Sequence, residues 1–127
     1  SNFSDDTAPT AGGDVDFATH GFLFTAGSLG NLGATETVAY DRPFQAGTLN
    51  ANCTLTSGTS PSKATSGVIV FAQDATGGRS VTIPANWTFP DGEPTWTDGT
   101  ASQKIYLNWT YDSVNDEFIV FASSWYD

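Results

Sequence analysis

The chain has 127 residues, enough for one domain that buries about two thirds of its unfolded surface without metal or disulfide staples. Four basic against 14 acidic side chains give a net charge of −10. That balance repels phosphate backbones and anionic bilayers, which excludes DNA, RNA and membrane surfaces as partners.

Two Lys, three Glu and no Met leave few strong helix formers, while Thr, Ser, Gly, Val and aromatic residues abound. The composition predicts an all-β fold. Residues 1–13 (SNFSDDTAPTAGG) are polar, acidic and punctuated by Pro9 and Gly12-Gly13. They read as an extended N-terminal arm, with no basic region or apolar stretch of an export signal. Phe3, its isolated aromatic, is the residue that would anchor the arm on a neighbouring subunit. A single β domain follows over residues 14–127.

Within it, Phe22-Leu23-Phe24 is a short apolar run, Ala26 to Gly33 a glycine-rich turn, and Thr37 to Tyr40 a strand closing at Asp41-Arg42-Pro43. Glycines 27, 30 and 33 lack the following helix and Lys of a phosphate loop, so they read as a connection. Leu49 to Leu55 alternates as one strand, with Leu49, Ala51, Cys53 and Leu55 on one face. Cys53 is the only cysteine. It reads as a small core residue, since apolar burial raises a thiol pKa and no His is near in sequence. Thr56 to Gly67, free of large apolar residues, is a loop.

Val68 to Ala72 and Val81 to Ile83 are strand patterns joined by Asp74 to Arg79, where Gly77-Gly78 supplies the positive-φ residues of a hairpin. Trp87 and Trp96 bracket a turn-rich loop. Lys104 to Tyr111 then alternates cleanly, with Ile105, Leu107, Trp109 and Tyr111 on one face and Tyr106, Asn108 and Thr110 on the other. Asp112 to Glu117 is its turn, Phe118 to Ala122 its partner strand, and Trp125-Tyr126-Asp127 ends the chain. Strands at this spacing predict a single antiparallel β-sandwich or small barrel-like domain.

Candidates for chemistry are few. His20, the only histidine, has no Cys or second His at metal-ligand spacing. The acids of the 112–117 turn lack the order of a calcium loop, and no Ser sits in a nucleophile elbow. The reading is a non-enzyme without cofactor or metal. The surplus lies in aromatic residues, which mark contact surfaces when exposed. Phe3, Trp87, Trp96, Tyr106, Trp125 and Tyr126 are the candidate subunit-contact or ligand-contact residues. Tyr106 is the sharpest, because it faces away from the Ile105 and Trp109 side of its strand.

Gln73 to Arg79 (QDATGGR), the alternating Val81-Thr82-Ile83-Pro84, Trp87 and Pro94-Thr95 together resemble a segment recurring in tail-fibre and other virion proteins of tailed bacteriophages. The resemblance covers about Thr48 to the end, with Leu49 to Leu55 matching a polar strand before the segment and Ile105 to Phe121 an aromatic hairpin after it. It implies a structural protein of the phage virion, assembled in the bacterial host cytoplasm, and a homotrimer. Two roles follow. The first is a capsid decoration, or cement, protein that staples major capsid protein subunits on the outer head surface. The alternative is a receptor-binding tip of a tail or head fibre whose Trp side chains stack on host surface glycans.

Overall fold

The structure, a computed structural model, describes residues 25–127. The 1–13 arm with Phe3, the Phe22 to Phe24 run and His20 lie outside the described residues. The described residues form nine strands: β1 (Gly27–Asn31), β2 (Thr35–Val38), β3 (Phe44–Leu49), β4 (Cys53–Ser57), β5 (Thr65–Gln73), β6 (Val81–Thr82), β7 (Trp87–Thr88), β8 (Lys104–Asp112) and β9 (Glu117–Ala122). A 3-10 turn at Trp96–Asp98 is the one helical element among the described residues. The all-β expectation holds.

The strands form a six-stranded sheet in the order β1-β3-β5-β8-β9-β7 and a three-stranded sheet in the order β2-β4-β6. β1, β3 and β5 run parallel to one another, as do β2, β4 and β6. Only the β5–β8 and β8–β9 pairs are antiparallel. The large sheet is therefore mixed and the small one parallel, rather than both antiparallel, and no barrel closes among the described residues. The first half of the chain coils: β1, β3 and β5 each pass through a corner into β2, β4 and β6 of the small sheet, and after β2 and β4 the chain returns to the large sheet beside the strand it left.

Two sequence expectations change for this reason. Leu49 to Leu55 keeps its alternating burial, but the chain turns at 50–52, so Leu49 ends β3 in one sheet while Cys53 starts β4 in the other. The 68–87 segment is not a hairpin. β5 pairs with β3 and β8, β6 pairs with β4, and the motif between them is a corner that carries the chain from one sheet to the other. The glycine-rich 26–33 segment, expected as a turn, forms edge strand β1, with a register shift between Ser28 and Gly30.

The corners are held by side chains that take the place of ladder bonds. Asn50 Oδ1 accepts from Gly33 N at 2.8 Å and Asn52 Oδ1 from Ser80 N at 3.0 Å, so the middle corner ties the one on either side. In the last corner buried Gln73 accepts from Arg79 N at 2.9 Å and donates to Arg79 O and Trp96 O at 3.1 and 3.2 Å. Asp74 accepts from Thr76 N and Gly77 N and pairs with the Arg79 guanidinium at 2.9 Å. The Arg79 bond, followed by the Gly77 amide, holds the Asp74 carboxyl below the usual carboxylate range. Gly77 has φ +75°, and a Cβ there would lie 2.6 Å from Ala101 N. QDATGGR is thus a self-satisfied structural corner.

The hairpin half follows the pleat. β8 alternates buried and exposed residues along its length, and Asp112 Oδ1 accepts from Val114 N and Asn115 N to form the turn into β9. One core lies between the sheets, with Val38, Cys53, Leu55 and Val81 from the small sheet meeting Leu49, Ile69, Phe71, Ile105, Leu107, Phe118 and Val120 from the large one. Cys53 is buried as expected, and burial pushes its thiol pKa up. Trp109 lies opposite Gly67 in register, and a Cβ on Gly67 would come within 2.6 Å of the indole. The ring fills the space that the missing side chain leaves. Tyr40 stacks on Phe118 at 4.0 Å, and its hydroxyl accepts from Trp87 Nε1 at 2.8 Å and meets Ser57 Oγ at 2.6 Å.

Candidate contact surfaces

The six candidate aromatics separate into groups. Trp87 and Trp96 are only 4% and 5% exposed. A contact role at the ends of a turn-rich loop requires them to be partly in solvent, but β7 joins the large sheet beside β9 and the 3-10 turn folds Trp96 onto Phe71. Both are core residues of this chain, with Nε1 groups bonded to Tyr40 Oη and Glu93 Oε2. Tyr106 and Tyr126 are exposed and Trp125 is half-buried. Phe3 lies outside the described residues.

Tyr106 belongs, with Tyr126, to a broader surface. Register carries Phe44 to Val68, Val68 to Asn108 and Asn108 to Phe121, a single row across four strands on the outer face of the large sheet. The next row runs Ser28, Ala46, Val70, Tyr106, where Tyr106 O accepts from Ser123 N and Tyr106 N donates to Ser123 Oγ. A third runs Thr48, Ala72, Lys104 and Tyr126, with the Lys104 ammonium 5.8 Å from the Tyr126 ring. Phe44, Tyr106 and Phe121 are 40%, 41% and 44% exposed. Phe44 and Phe121 could have been found from their alternation out of the core, but their membership of one row is a property of the sheet order.

The outer face of the small sheet is chemically opposite. Thr35, Thr54 and Thr82 form one row and Thr37 and Thr56 another, all exposed, with the last two hydroxyls 3.0 Å apart. Threonine on an outward pleat is an ordinary water-facing choice. Phenylalanine, valine and tyrosine are not.

A second surface is a wide groove of about 510 Å³ between the 91–98 loop and the end of β9. Trp125 lines one side. Its ring lies against Gly99, where a Cβ would come within 2.7 Å of it, and Nε1 donates to Thr95 O at 3.2 Å. Asp91, Glu93 and Asp98 also line the groove and are exposed. In a groove lined by an indole and carboxylates, the indole can stack on an apolar ring face while the carboxylates accept hydrogen bonds from the hydroxyls around it. The acids of the 112–117 turn do something else: Asp112 organises the turn, and Asp116 Oδ1 accepts from Tyr111 Oη at 2.7 Å.

Residues 37–114 match the family model described as "Putative phage tail fibre C-terminal domain". The match spans the coil from β2 through the 112–114 turn, including the QDATGGR corner and the 91–98 side of the groove. No curated protein and no solved structure matches the chain.

Proposed function

Since the chain belongs to the phage tail fibre C-terminal domain family, and is a structural component of a phage virion, we propose that it is a fibre tip that binds saccharide on the host surface through the Trp125 groove. The observation that carries this reading is the joint presence of a fibre-end family and a groove lined by one indole and three carboxylates. A sugar ring offers an apolar C–H face to the indole and hydroxyl donors to Asp91, Glu93 and Asp98. An uncharged or cationic glycan suits the site, because an acidic one meets like charge. The role is one of adhesion without chemical turnover, in a particle component assembled in the host cytoplasm.

The capsid-decoration role, the first of the two roles the resemblance suggests, is second here. A match to a fibre domain accounts for the chain at least as directly, and the groove adds a ligand site that a staple does not need. The test is binding of the purified chain to host-derived surface polysaccharide by titration calorimetry or a glycan array. Trp125→Ala should abolish binding while leaving the fold unchanged by circular dichroism. Undiminished binding by that variant, or the absence of any saccharide ligand together with retention of the protein on purified heads, sinks the tip reading.

A further inference from the structure

We infer that the group the groove selects is a protonated amine, so that the saccharide is an amino sugar with a free ammonium, and that Glu93 sets this preference. The inference rests on the saccharide reading of the groove and narrows it. Many of the donors around the groove are already engaged within the chain. Trp125 Nε1 is bonded to Thr95 O and Trp96 Nε1 to Glu93 Oε2. The Ser123 hydroxyl donates to Ser124 O and accepts from Tyr106 N, and the amides of Gly92 and Asp98 donate to Phe89 O and Thr95 O. The acceptors stay open. The Asp91 and Asp98 carboxylates and Glu93 Oε1 have no hydrogen-bond partner among the described residues. Such a lining is complementary to a ligand that donates.

Charge narrows the donor from hydroxyl to amine. No Lys or Arg lines the groove, and the one ion pair among the described residues joins Asp74 to Arg79 in the last corner. Three carboxylates gathered without a cation repel one another, and a bound ammonium relieves that repulsion, where a neutral hydroxyl only exchanges one hydrogen bond with water for another. The indole adds to the same preference, because the face of Trp attracts a cation more strongly than that of Tyr or Phe. With Nε1 bonded to Thr95 O and the ring backed by Gly99, Trp125 offers a ligand its face and not its donor. Among the three acids Glu93 is the one held in place. The 2.7 Å bond from Trp96, itself buried against Phe71, fixes the carboxylate through Oε2, so Oε1 meets a ligand with little side-chain freedom left to lose. Asp91 and Asp98 have no such tether.

Titration calorimetry at mildly acidic pH tests this with two probes, the β-1,4-linked glucosamine trimer and its N-acetylated, uncharged counterpart. The wild type should bind the free-amine trimer about tenfold more tightly, and added salt should narrow the gap. Glu93→Gln keeps a carbonyl to accept from Trp96 but loses the charge, and should bring the two affinities within about threefold of each other. Asp98→Asn should narrow the gap less. Asp41→Asn, the same loss of charge at an exposed residue outside the groove, should leave it unchanged. Equal affinity for the two trimers, preference for the acetylated one, or binding of neither overturns the inference. So does a preference that Glu93→Gln leaves intact or that Asp41→Asn reduces equally. A free-amine trimer that binds Trp125→Ala as well as wild type overturns it too, since general attraction to an acidic chain would then suffice. In any of these cases host polysaccharide binding that Trp125→Ala abolishes keeps the tip reading and removes only the amine.

Discussion

The coil of β1 to β6 and the hairpin of β8 and β9 share one core but keep register by different means. In the hairpin, register follows from the pleat: a one-residue slip would turn Ile105, Leu107, Trp109 and Tyr111 out into water. In the coil, β2, β4 and β6 are short, and the small sheet pairs only two residues between β4 and β6. So few ladder bonds cannot specify alignment, and the corners do it instead, through Asn50, Asn52, Gln73 and Asp74. Parallel pairing far apart in sequence needs polar side chains at its bends, whereas a local antiparallel pair needs only alternation and a turn.

The largest effect should come from the seam where the two regions meet. Trp109 sits on β8 yet fills the space over Gly67 of β5 and packs edge-on against Tyr40 and Phe118. Its Nε1 has no hydrogen-bond partner among the described residues, so packing alone holds it. Trp109→Ala should cost about 3–5 kcal/mol in urea unfolding, with coil and hairpin lost in one transition. Two resolved transitions would mean that the regions are separable.

A smaller and regional effect is expected from Gln73→Leu, which keeps the bulk but strands Arg79 N, Arg79 O and Trp96 O. Stability should fall by about 2–3 kcal/mol. Amide exchange should quicken at the 74–82 corner and β6 well before the β8–β9 hairpin. Equal loss of protection in both would show that the corner does not hold the coil independently.

The smallest effect is electrostatic. The Asp74 carboxyl is held low by Arg79 and the Gly77 amide, so its ionised form contributes stability at pH above the unfolded carboxylate value. That contribution disappears as the pH falls through the lower folded value. Wild type should therefore exceed Asp74→Asn in stability at neutral pH, and the difference should close on acidification. A difference that stays constant from neutral to strongly acidic pH would remove the ion pair from the account of this corner.

How much was legible in the sequence follows the same division. The Lys104 to Ala122 hairpin could be placed nearly to its ends, because alternation and turn residues act over neighbouring positions. The alternation of Leu49 to Leu55 was also legible, but not its break at 50–52, since a corner that swaps sheets keeps the inward face inward. The glycines of QDATGGR announced positive φ correctly at Gly77 and Gly78. They could not say whether the chain doubled back or crossed over. Tyr106 was recognisable as an outward aromatic, while Trp87 and Trp96 were misjudged because residues in turn-rich sequence can still be folded inward.

Sequence alone determined the strand-forming composition, the acidic charge, the inward and outward faces of each strand and the chemistry of the corners, all of which rest on side-chain identity and short-range geometry. The tertiary structure decided which strands became neighbours. Parallel pairing joins segments about 17 to 31 residues apart, and that choice depends on closing loops and burying one common core rather than on any local preference. The apolar rows of the large sheet exist only because that choice lines up Phe44, Val68, Asn108 and Phe121 from four separate strands.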